Sequence, residues 1–169
     1  MIAEIRAQFD LAWALCDLHL AEIDDTSALW EPSPVCWTVR RDDTGVWRAD
    51  WATVEPEPVP VPTIAWLTWH IAYWWTATLA AMSDEPMPDP VALPWAGDAE
   101  GAVATVRGLA QRWRQFLHES TVDSLAAPST FPWGPGTSRT QADTALWVAI
   151  ELTKNAAEIG TLRLLHATS

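Results

Sequence analysis

Apolar residues at Ile2, Ile5, Phe9, Ala12, Cys16, Leu20 and Ile23 recur at steps of three and four. That is the repeat of a helix burying one face, and it predicts a first helix over 2–24. A second apolar stretch begins at Thr63, a residue suited to an N-cap, and runs to about Met82. Val103, Val106, Ala110, Trp113 and Leu117 place a third helix over about 98–120. A fourth covers about Thr140 to His166, with Ser138 and Asp143 as capping or first-turn residues.

The connections are long and rich in proline. Residues 25–62 contain "EPSP" and "EPEPVPVP", so no long helix crosses them. Within that segment "CWTVR" and "VWRADW" flank "RDDTG", alternating residues around an Asp/Gly turn, which predicts a small β-hairpin. "DEPMPDPVALP" and "APSTFPWGPGTSR" break the chain twice more. The expectation is an all-α fold, a four-helix bundle with at least one crossover connection, built as a single domain over 1–169.

The fourth helix carries a polar column. Wound at about 100° per residue, "WVAIELTKNAAEIGTLRLL" brings Glu151, Asn155 and Glu158 within about 60° of one another. Trp147, Val148, Ile159, Leu162 and Leu165 flank them, while Ala149, Thr153, Ala156, Ala157 and Gly160 fall opposite. Two carboxylates and an amide therefore point where the core should be. A buried carboxylate without partner or ligand costs on the order of several kcal/mol, or shifts its pKa until it is neutral. Lys154 bending inward, arginines from other helices, or a divalent cation held by His70, Glu151 and Asn155 would each answer that need. His70 lies on the second helix among Trp66, Leu67, Tyr73 and Trp74. His19, His118 and His166 have no partner that spacing names.

Composition narrows the function classes. An apolar share of 49% in 169 residues suits one full-sized core. The net charge of −12, without a basic patch, argues against nucleic acid and against an anionic membrane surface. The start, "MIAEIRAQFD", lacks the pattern of a signal peptide, and no run has the length of a membrane span. Cys16 and Cys36 are expected to be reduced thiols of a cytoplasmic protein. Thirteen tryptophans are enough to fill a wide core and also to wall a pocket for a small molecule, with Trp66, Trp74 and Trp147 the candidate lining.

The segments "LWEPSPVCWTVR", "DTGVWRADW", "TIAWLTWHIAYWW" and "ELTKNAAEIGTLRLL" stand in that order between Ala28 and Leu165. Together they resemble the DinB-like superfamily, most nearly its actinobacterial branch of small stand-alone proteins. The bundle domains of mycothiol-dependent maleylpyruvate isomerases and thiol S-transferases are related to these. The resemblance implies an up-down-down-up bundle, frequent pairing into homodimers, and no DNA binding. It also implies a metal triad of one His on the second helix and a His-x-x-x-His pair on the fourth. His70 matches the first ligand, but the pair maps onto Glu151 and Asn155. A carboxylate is a good oxygen ligand and a neutral amide a weak one. The preference therefore moves from Ni²⁺ and Zn²⁺ toward Mn²⁺, Mg²⁺ or no metal. Glu158, one turn on, becomes a supporting acid or general base. Two functional readings stand open. One is a degenerate member binding a small molecule, or a metal weakly. The other is a divalent-metal-dependent S-transferase or hydrolase using a low-molecular-weight thiol of the mycothiol or bacillithiol type.

Overall fold

The computed structural model describes residues 1–83 and 85–169. Over these the chain is mostly helical: α1 (Ile2–Leu20), α2 (Asp25–Ala28), α3 (Ile64–Ser83), α4 (Ala99–Glu119), α5 (Val122–Ala126) and α6 (Gln141–His166). The short strands β1 (Cys36–Trp37), β2 (Val39–Arg41), β3 (Trp47–Ala49) and β4 (Val61–Pro62) lie in the connection before α3. None of the described helices is long and apolar enough to cross a membrane.

The long helices start where their caps dictate. The Trp66 N–H donates to Thr63 Oγ1 at 3.2 Å, and the Gly101 N–H to Asp98 Oδ1 at 2.7 Å. Thr140 and Asp143 form a reciprocal capping box at the head of α6. The first helix is shorter than its periodicity predicts, ending at Leu20 instead of residue 24. Asp24 is the reason. Its carboxylate accepts the Ser27 N–H while Ser27 Oγ accepts the Asp24 N–H, so a new helix, α2, begins there. A third capping box, between Thr121 and Ser124, nucleates the unforeseen α5.

The hairpin is present but shifted. β2 and β3 pair antiparallel through Val39↔Ala49 and Arg41↔Trp47, around a turn closed by Asp42 and by Gly45 at φ 84°. Cys36 and Trp37, expected in the hairpin, pair instead with Val61 and Pro62 in parallel. Proline lacks an N–H, so the run 60–63 offers donors only from Val61 and Thr63. These reach Val35 O at 3.0 Å and Trp37 O at 2.8 Å, the spacing of an edge strand.

Four helix pairs enclose one continuous core: α1 with α6, α6 with α3, α3 with α4, and α4 with α1. Along α1 and α4 the numbering runs in opposition. Arg6 donates to Leu117 O, Asp10 pairs with Arg114 at 3.0 Å, and Asp17 pairs with Arg107 at 2.8 Å. Trp75, Trp69, Trp113 and Phe9 are the largest fully buried side chains. Cys16 lies among them unbridged, its thiol pushed up to about 12 by burial, which keeps it unreactive.

The helical-wheel reading of the fourth helix needs one correction. Ala149, Ala156 and Gly160 were placed opposite the core, yet all three are buried, whereas Leu165 is half exposed. The helix is covered on two sides: α3 meets the polar column and α1 meets the small residues. At Gly160 the approach is closest, since an added Cβ would lie 2.8 Å from His19 Cε1 and Nε2. Gly160→Ala should gain up to about 1 kcal/mol of helix propensity and lose a similar amount by swinging the imidazole off Arg163. Stability should therefore change little while the His19 ring resonances move strongly in an NMR spectrum. Unmoved resonances would contradict the packing.

Candidate functional site

Positions 66, 70 and 74 share a face of α3, and 147, 151, 155 and 158 share a face of α6. Because these helices pack together, the two rows meet. His70 Nε2 lies 3.5 Å from Glu151 Oε1, and the same oxygen receives the Lys154 ammonium at 2.5 Å. The Trp74 indole N–H donates to Asn155 Oδ1 at 3.1 Å, and Asn155 Nδ2 donates to Glu158 Oε2 at 2.9 Å. The column read from the helix thus forms two short chains, His70–Glu151–Lys154 and Trp74–Asn155–Glu158.

Exposure differs along the column. Asn155 is 1% exposed, and among the described residues its amide has these two partners. Burial works to raise the Glu151 pKa, but hydrogen bonds from His70 and Lys154 outweigh it and hold the carboxyl below its ordinary 4.5. An acid depressed on folding stabilises above its unfolded pKa, and that contribution is lost as pH falls through the folded value. Wild-type protein should therefore lose more stability than Glu151→Gln as pH drops below about 4.5, read by urea unfolding at a series of pH values. Parallel curves would remove Glu151 from the account.

A cleft of about 240 Å³ opens in front of this network. Trp37, Trp66 and His70 form one wall: Trp66 stacks on His70 at 4.9 Å and on Trp37 at 5.7 Å. The Trp66 indole N–H donates to Asp50 O at 2.8 Å. Val59, Pro60 and Pro62 supply an apolar side, and Glu55, Lys154, Asn155 and Glu158 the polar one. Trp74 and Trp147, the other two tryptophans put forward from sequence as lining, lie behind Asn155 and pack edge-on at 5.4 Å. Trp37 and Glu55 come from the long connection, and spacing along the chain did not single them out. His70 Nδ1 is buried and has no hydrogen-bond partner among the described residues.

His70, Glu151 and Asn155 are thus brought together, but their donor set does not suit a divalent ion. The Glu151 oxygen that faces His70 already holds an ammonium, which would repel a second cation. Asn155 is committed at both ends of its amide. Among the described residues no group of three or more His, Cys, Asp and Glu side chains is arranged to hold a metal.

The family model for the DinB superfamily matches residues 8–159. No curated protein and no solved structure matches the chain.

Proposed function

This chain belongs to the DinB superfamily, and from that premise we propose that it is a small-molecule-binding member in which an internal cation replaces the metal. The observation that carries this reading is the Lys154 ammonium on Glu151, at the position where the family's ligand pair maps. The lysine places a positive charge on the carboxylate, so the pair needs no ion to balance it. The same pairing of ends reads as an up-down-down-up bundle. α1 opposes α4, α3 opposes α6 through His70–Glu151 and Trp74–Trp147, and α1 lies along α6 with His19 beside Gly160.

Elemental analysis of purified protein, followed by titration with Mn²⁺, Ni²⁺ and Zn²⁺, tests this. The expected result is no stoichiometric metal and no saturable uptake. One equivalent bound, and lost in His70→Ala, would overturn it and return the thiol-dependent, metal-loaded reading.

We also propose that a second copy covers the outer face of α1 and α6. Leu11, Leu15 and Leu18 of α1 and Leu146, Ile150 and Leu164 of α6 are exposed, Ile150 at 68% and Leu164 at 73%. Ala7, Ala14, Thr153, Ala157 and Thr161 lie exposed among them without adding charge. In a chain of net charge −12, the stretch from Ala7 to Leu18 on α1 and its neighbours on α6 carry few charges, with Glu4 and Glu22 only at the ends. Two copies can therefore meet there with little repulsion. Helices of this length, about 30–40 Å, give a patch of the order of the ~800 Å² per partner that a stable dimer buries. Sedimentation should show a dimer in wild type and a monomer in Leu15→Glu/Ile150→Glu. A monomeric wild type at tens of micromolar would refute it.

A further inference from the structure

The small-molecule reading leaves the ligand's chemistry open, and the cleft narrows it. We infer that the cleft takes a small organic cation, an amine or quaternary ammonium with a compact hydrocarbon body. The inference rests on the small-molecule reading above and adds its substrate class.

Charge is the first argument. Glu55 and Glu158 line the cleft, and Glu151 stands next to it. Against these three carboxylates stand Lys154 and, when protonated, His70. Lys154 is spent on Glu151, and Glu158 receives only the neutral Asn155 amide. Glu55 makes no ion pair among the described residues. Negative charge is therefore in excess at every protonation state of His70, inside a molecule whose net charge of −12 already concentrates cations around it.

The second argument is the wall. The Trp37–Trp66–His70 stack is rigid, and with Val59, Pro60 and Pro62 it offers an apolar surface beside the acids. A hydrated inorganic ion gains nothing from such a surface. An alkylated ammonium does, because its body is apolar while its charge answers the carboxylates beside that surface. A carboxylate or phosphate ligand would meet Glu55 and Glu158 with only a lysine already in use.

Calorimetric titration with three isosteric probes tests the class: choline, the neutral 3,3-dimethylbutan-1-ol, and the anionic 3,3-dimethylbutanoate. Choline should bind at least about tenfold more tightly than the alcohol, and the anion not measurably. Glu55→Gln, at an exposed position, and Glu158→Gln, which keeps the oxygen facing Asn155, should each weaken choline severalfold and leave the alcohol unchanged. Equal binding of alcohol and choline, or tighter binding of the anion, would overturn the cationic class while leaving the small-molecule reading intact. No binding by any probe would overturn the inference as well. The reading that an internal cation replaces the metal is judged separately, by the metal titration.

Discussion

Asn155→Ala should lower the stability of the fold by about 2–4 kcal/mol, a fall in Tm of roughly 5–15 °C for a chain of this size. The side chain is buried at the meeting of α3 and α6, and both ends of its amide are used. Its removal strands the Trp74 N–H, itself on a 4%-exposed residue. An unsatisfied buried donor costs about 1–3 kcal/mol, and the small void left behind adds to that. Trp74→Phe removes the same hydrogen bond from the other side without leaving Asn155 wholly unpaired, since Nδ2 still reaches Glu158. In a double-mutant cycle the two changes should couple by about 1–2 kcal/mol. Additive effects, or a single-mutant loss below about 0.5 kcal/mol, would mean that this amide does not join the helices.

That pair also marks how far the sequence can be read. Glu151, Asn155 and Glu158 are visible in the chain as groups needing internal partners, because helical periodicity places them on one face. Lys154 was legible as a partner from the same spacing, and His70 as the group across from them through the family resemblance. The Trp74 indole was not, since its role depends on a ring orientation across the interface and not on any repeat. The main helices were readable to within a few residues from apolar steps and from the Thr63 cap, whereas the caps at Asp98 and Thr140 emerge only in the structure. Where the reading overran, at 21–24, a local capping box outweighed the periodicity of Ile23.

The burial of Ala149, Ala156 and Gly160 was hidden for a related reason. A wheel ranks faces by hydrophobicity, and small residues register as neutral even when a neighbouring helix rests on them. α6 is covered on two sides, by α1 and by α3, so its apolar and polar faces do not map simply onto inside and outside. The cleft was the least legible part. Trp37, Glu55 and Val59 reach it from a proline-rich connection whose register is set by Val61 and Thr63 pairing with the strand before it. Neither composition nor turn chemistry fixes such a parallel, two-residue pairing.

The largest change expected from any substitution is a gain of function. Lys154→Ala/Asn155→His should bind Zn²⁺ or Ni²⁺ with a Kd in the micromolar range or below, whereas wild type should not. The first change frees the Glu151 oxygen now held by the ammonium, next to His70 Nε2. The second sets an imidazole four residues along the same face, giving two His and one Glu, a recurrent zinc donor set. Glu158, which now accepts from the Asn155 amide, is placed to accept the ring N–H of the introduced histidine, the carboxylate support that metal-bound imidazoles commonly have. The apo variant should be less stable than wild type, because Trp74 loses its acceptor. Adding Zn²⁺ at about 100 times Kd should then recover about 2.7 kcal/mol, read as a rise in Tm absent from wild type. Equal metal affinity in the two proteins would show that Lys154 never displaced the ion. A variant that folds and binds no metal would show that His70 and Glu151 are set for hydrogen bonding alone, at a geometry no third ligand completes.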